Sequence, residues 1–142
     1  MKGLLLAVHL KRHNLSMRKI ETHSISWNLL NLKTRVDTTS FEELQNSIRN
    51  LRLQGKMHIA IDMRQNRFLS VPAIQFIVAV ARELKEQGGE IVLLAPNEKA
   101  KRHFEIYGSL KDIRVLRSGE ALELLAAFEA SQKSMSQSSA GA

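Results

Sequence analysis

An α/β sandwich built on a mixed β-sheet is the fold this sequence predicts, and three observations predict it. Short apolar runs of strand length alternate with longer stretches of helical period. A strand pair with the look of a hairpin precedes that alternation, and Ser, Asn, Asp and Gly stand where helices should start and stop. The 142 residues make a single domain's worth of chain, enough for about five strands and about four α-helices around one sheet.

From Lys19 to about Thr34 the residues favour strands. Ile20 and Thr22 share one phase of the alternation, and Ile25 and Trp27 the other, which predicts a bulge or bend near Ser24. Leu30, Leu32 and Thr34 then alternate with Asn31, Lys33 and Arg35, and Asn28 reads as the start of a turn between two antiparallel strands. Asp37-Thr-Thr-Ser40-Phe-Glu-Glu43 announces a helix, with Ser40 as its cap and Glu43 reaching back to it. Phe41, Leu44, Ile48 and Leu51 follow at steps of three, four and three, so they form one buried stripe. Gly55 supplies the stop.

Met57–Ile61, ended by Asp62, reads as a central strand. A polar connection, Arg64–Arg67, leads to Phe68-Leu69-Ser70 and a second helix from about Val71 to Gln87. Pro72 suits that helix's first turn, where its missing N–H is not needed. Ile74, Ile77, Val78, Ala81 and Leu84 form its core stripe, and Phe76 and Val80 widen the apolar arc. Gly88-Gly89 ends the helix and Glu90–Leu94 is the next strand. Asn97 caps a helix to about Tyr107, with Ala100, Phe104 and Tyr107 inward. Ile113–Leu116 is a short last strand. Ser118 then caps a closing helix that turns Ala121, Leu122, Leu125, Ala126 and Phe128 inward.

The two ends read differently from the body. Residues 1–16 are an N-terminal basic extension, 17–130 the domain, and 131–142 a flexible tail too small and polar to order itself. The apolar run Gly3–Val8 is shorter than the ~7–15 residues of a signal peptide, and His9-Leu-Lys-Arg-His13 follows where a cleavage site should lie. Met17 is a candidate start in its own right. His9 and His13 share a helical face, but with no third ligand nearby they read as two solvated histidines.

Net charge is +7, and residues 1–19 supply five of those charges with no acid among them. The remainder is nearly balanced, and neither Trp27 nor Tyr107 lies in a basic cluster, so a nucleic-acid footprint is absent. No apolar run nears the ~20 residues of a membrane span, and there are no cysteines. Together these predict a cytoplasmic protein with no direct membrane insertion. Phosphate loops, nucleophile elbows and zinc-protease motifs are missing, so the chain reads as a non-enzyme with no cofactor and no metal. His58 reads as a core or edge histidine, and His103 as solvent-facing.

In order and spacing, these elements resemble the STAS domain, the family of sulphate-transporter C-terminal regions and bacterial anti-sigma factor antagonists. The residues that carry the resemblance run from about 18 to 130: Asp37 in the turn before the first helix, Ser40 and Glu43-Leu44, Asp62 after the central strand, and Phe68-Leu69. Gly88-Gly89, Ile91–Leu94, Phe104, Gly108, Leu110, Ile113 and Ala121-Leu122 continue it. The resemblance implies a STAS-like sandwich that works through a protein partner. It breaks at the family's switch motif, Asp-Ser-Ser/Thr-Gly, where a partner kinase phosphorylates the first hydroxyl residue. Counting from Asp62 and back from Gly88 places that motif on Ser70-Val71-Pro72-Ala73, so Val71 holds the phosphoacceptor position.

The implied function is partner binding like that of an anti-sigma factor antagonist, using Asp37, Asp62, Arg64, Arg67, Ser70, Val71, Pro72 and Phe76 toward an anti-sigma factor or kinase-like regulator. Ser70 reads first as a helix cap. The alternative is a cytosolic STAS subunit of a membrane transporter complex of the ABC type. A homodimer is left open.

Overall fold

The computed structural model describes residues 12–13, 17–22, 25–127 and 130, with side chains from residue 27 on. The expected tail, the inward Phe128, the bend near Ser24, and the extension apart from Arg12 and His13 lie outside these residues.

Arg12–His13 (β1), Met17–Thr22 (β2) and Ile25–Asn31 (β3) begin a six-stranded sheet. Arg35–Val36 (β4) leads into Thr38–Leu53 (α1). His58–Asp62 (β5), Phe68–Leu69 (β6), Val71–Glu86 (α2), Glu90–Leu94 (β7), Glu98–Tyr107 (α3) and Ile113–Leu116 (β8) follow. A last helix occupies 118–127 (α4). The large sheet runs β1-β2-β3-β5-β7-β8, antiparallel as far as β3 and parallel beyond it. β4 and β6 form a separate parallel pair. The mixed α/β sandwich is therefore present, with one strand more in its main sheet than the expected five and a small second sheet beside it.

The parallel strands are apolar on both faces because both are covered. Leu30, Ile59, Ile61, Ile91 and Leu93 pack under α1, α2 and α3. Trp27, Leu29, Ala60, Val92 and Leu94 pack under α4 through Ala121, Leu124 and Leu125. Gly55 and Gly88 take φ of 77° and 88° as helices end, the left-handed turn expected of them. Gly89 answers a different need. A Cβ there would lie 2.2 Å from the carbonyl oxygen of Met57, so the chain passes with only a hydrogen to spare.

Five local expectations need correction. The strand reversal lies between Thr22 and Ile25, not at Asn28, which sits mid-strand opposite Lys19 and Ile59. Asn28 is buried there, its Nδ2 donating to the His58 carbonyl at 3.4 Å, so its polarity reflects a cross-strand partner and not a turn. Asp37, not Ser40, caps α1, because the extended β4 ends at Val36 and the next residue takes the cap. Ser40 is the returning partner of the box, and Glu43 pairs with Lys33 instead. Tyr107 is 44% exposed, since the close approach to Val78 of α2 is made by Gly108. In α4, Leu122 and Ala126 face out while Leu124 joins the core, a narrower stripe than expected. The Arg117 carbonyl accepts from the Ala121 amide, so the helix already includes Ser118.

Candidate functional site

Four segments converge where the parallel strands end and the helices begin. The β4–β6 pair brings them together, matching Arg35 to Phe68 and Val36 to Leu69. Flanking bonds lengthen the clip: the Arg67 amide donates to the Thr34 carbonyl at 2.7 Å, and the Ser70 amide to the Val36 carbonyl at 3.0 Å. Because the two strands are parallel, the helices that follow them start side by side and point the same way. Behind the clip, Phe41 of α1 and Phe76 of α2 meet edge to face at 5.8 Å.

Each helix start is closed by its own side chain. The Asp37 carboxylate accepts from the Thr39 and Ser40 amides at 3.1 and 3.4 Å, and Ser40 Oγ accepts from the Asp37 amide at 3.0 Å while donating to the Arg35 carbonyl. The Ser40 amide is the main cause that holds the Asp37 carboxyl below its ordinary value; desolvation opposes it, and the Thr39 amide, the Ser40 hydroxyl and Arg35 reinforce it by less. On α2, Ser70 Oγ accepts from the Ala73 amide at 3.4 Å, so Ser70 takes the cap role expected of it. Val71 is half-buried and Pro72 exposed at the top of the same turn.

The connections before α2 are fixed by a buried carboxylate with its arginine and by a buried amide. Asp62 points back into the turn, accepting from the Arg64 amide at 3.0 Å and from the Arg64 guanidinium at 3.1–3.3 Å. Its carboxylate is therefore largely enclosed, and Arg64 is the member of the pair that reaches solvent. Asn66, which sequence reasoning passed over, is also buried. Its Nδ2 donates to the Lys33 carbonyl at 2.8 Å and the Phe68 carbonyl at 3.0 Å, tying both connections together. In a run of polar residues its only signal was an asparagine, which reads as an ordinary turn residue. Arg67 is exposed, and the Arg35 guanidinium lies 4.4 Å above the Phe68 ring.

The structure thus gathers Asp37, Arg67, Ser70, Val71 and Pro72 at one end, with Arg64 at its edge. Phe76 stands behind them as packing, half-buried. His58 lies at the opposite end of the sheet, edge-on to Trp27 at 5.3 Å; burial chiefly lowers its pKa, Glu90 opposes this and Arg114 reinforces it. Among the described residues no cluster of His, Asp and Glu has the makings of a metal site, and no helix is long and apolar enough to cross a membrane.

The cap makes a testable statement about acid stability. A carboxyl whose pKa is lowered on folding stabilises the fold above its unfolded value, and that contribution is lost as pH falls through the lowered value. Asp37→Ala should reduce the thermal midpoint at neutral pH, while Asp37→Asn, an equally good cap, should not. In acid the gap between wild type and Asp37→Ala should narrow. Circular-dichroism melts across pH 2–7 measure this; identical melts for wild type and the alanine variant would mean that Asp37 does not cap.

The domain-family model described as STAS domain matches residues 16–121. No curated protein sequence matches the chain. Among solved structures, the fold resembles that of the anti-sigma factor antagonist SpoIIAA in its unphosphorylated form, with a TM-score of 0.58 at 16% identity over 84% of this chain and 96% of that one. The phosphorylated form, described as a Bacillus cell fate determinant, gives 0.55 at 18% identity over 84% and 99%. The protein TM1081, solved by NMR, gives 0.55 at 16% identity over 82% and 93%. At such identities the likeness is one of fold.

Proposed function

Because the chain belongs to the STAS domain family, we propose that it is a regulatory module that binds a protein partner, acting as an anti-sigma factor antagonist does and catalysing no reaction. The observation that carries this reading is the pair of capped helix starts joined by the β4–β6 clip. It is a polar platform on which Arg64, Arg67 and Pro72 are exposed and Asp37 partly so. An anti-sigma factor or kinase-like regulator is the partner we assign to it. The likeness to SpoIIAA structures in both phosphorylation states supports that assignment.

In this reading Val71 occupies the family's phosphoacceptor position. With no hydroxyl there, binding is not released by phosphate on that residue. Ser70 is the one hydroxyl in the four-residue stretch, and its oxygen is engaged with the Ala73 amide. Adding phosphate at position 71 would bring about −1.5 to −2 charges to the helix start and disturb a docked partner by charge and desolvation.

Affinity capture with the full chain, followed by incubation of the captured kinase-like regulator with ATP, tests this. Wild type should bind and gain no phosphate by intact mass. Val71→Ser should gain one phosphate and lose about tenfold in affinity, about 1.4 kcal/mol. Stoichiometric phosphate on Ser70 in wild type would overturn the lost-switch reading. Capture of an ATP-binding transporter subunit in place of a regulator would replace the antagonist reading with that of a transporter subunit.

A further inference from the structure

We infer that the partner's docking segment is acidic, and that it places a carboxylate in the cleft between β6 and the start of α3. The inference rests on the reading above for the kind of partner, and on the charges of this chain for its chemistry. The acids nearest the clip are matched: Asp37 with Arg35, Glu43 with Lys33, Asp62 with Arg64 and Glu98 with Lys101. Glu42, exposed and in no ion pair among the described residues, lies on α1, beyond α2. Bases remain in excess on the side toward α3. Arg67 and Lys99 are both exposed, and among the described residues neither makes an ion pair.

Those two side chains and His103 line one cleft, along with Asn66, Phe68 and Asn97, and no acid lines it. Its volume is about 20 Å³, room for the end of one side chain and not for a nucleotide base or a cofactor. The start of α2 adds to the same field, since its first turn holds no acid. Phe68 borders the cleft, 37% exposed as a residue and backed by Arg35, so an apolar neighbour of the incoming carboxylate has a surface to rest on. A nucleic acid would need a run of stacking platforms along a basic track, and Phe68 and His103 are the two rings that line this cleft. An acidic protein segment fits better, arriving faster and in one register through charge complementarity.

The test uses the full chain and three fluorescein-labelled probes in anisotropy titrations at low and moderate salt: a glutamate–leucine peptide, a lysine–leucine peptide of equal length, and a short DNA duplex. Wild type should bind the glutamate peptide in preference to both others, with affinity falling as salt rises. The double variant Arg67→Glu/Lys99→Glu should lose at least about fivefold for that peptide. Arg49→Glu/Lys56→Glu, which changes two bases at the other end of α1, should lose less than about twofold and so exclude a mere net-charge effect. Equal losses in the two double variants would overturn the proposal. So would tighter binding of DNA through Arg67 and Lys99.

Repeating the measurement with the captured regulator separates the two readings. A regulator that binds wild type and the Arg67/Lys99 variant equally removes the acidic-segment proposal and leaves the antagonist function standing. Selective peptide binding at the cleft with no regulator captured leaves the cleft's chemistry and removes the antagonist function.

Discussion

Ile61→Asp should leave almost no folded protein. Ile61 is wholly buried in β5, between Leu30 of β3 and Leu93 of β7, beneath the helices that cover that face. An aspartate there has no base within the apolar layer to pair with. Burying it unpaired, together with the loss of the isoleucine's own burial, costs several kcal/mol, against the roughly 5–15 kcal/mol that hold a whole domain together. Protonation would relieve part of the charge cost and none of the packing loss. The expected result is insoluble protein, or a chain with no cooperative melt. Ile61→Val, which keeps the shape and removes one methylene, should cost only about 1 kcal/mol and still fold. If Ile61→Asp melted like wild type, the strand would be wrongly placed.

Gly89→Ala should be nearly as damaging, for a steric reason. The added Cβ would sit 2.2 Å from the Met57 carbonyl oxygen and 2.8 Å from the Met57 Cβ. That carbonyl cannot swing away freely, since it accepts the Glu90 amide at 2.9 Å at the entry to β7. Relief therefore requires moving the starts of two central strands apart, which we expect to cost about 3 kcal/mol or more. Gly55→Ala makes the control. Gly55 has open space around its missing Cβ and only a positive φ to resist the change, so about 1 kcal/mol is expected. Urea melts of the two variants compare them directly. Equal midpoints would show that the close approach at Gly89 does not constrain the chain.

Most of the frame was legible because long periodic segments announce themselves. Leu44, Ile48 and Leu51 of the α1 stripe, and the α2 stripe from Ile74 to Leu84, are buried as their spacing requires, while Phe41 at the open end of α1 is half-buried. The β5 and β7 runs were legible too, since strands covered on both faces are apolar throughout. The candidate site was read in pieces. Asp37 and Ser70 lay at helix starts that local rules recognise, although the identity of the first cap was misjudged because Ser and Asp are both good caps three residues apart. What holds the pieces together was invisible. Arg35–Val36 and Phe68–Leu69 are strands of two residues each, too short to show alternation, and their pairing is fixed only by where the chain returns. The bond from Asn66 to the Lys33 carbonyl depends on that same return, whereas Asp62 is held by Arg64 two residues on.

That small pairing has a kinetic consequence. It joins segments about thirty residues apart in sequence through a handful of backbone bonds, whereas α1 and α2 each form from neighbouring residues. Closing a long loop for so little contact comes after the helices and the central strands have condensed, when the loop is already short in space. By the same measure we expect it to open more readily than the central strands, a brief breathing of the platform that leaves the parallel part of the sheet intact. A partner that grips both sides of the clip would slow this breathing, and its residence time would be bounded by how often the two strands part.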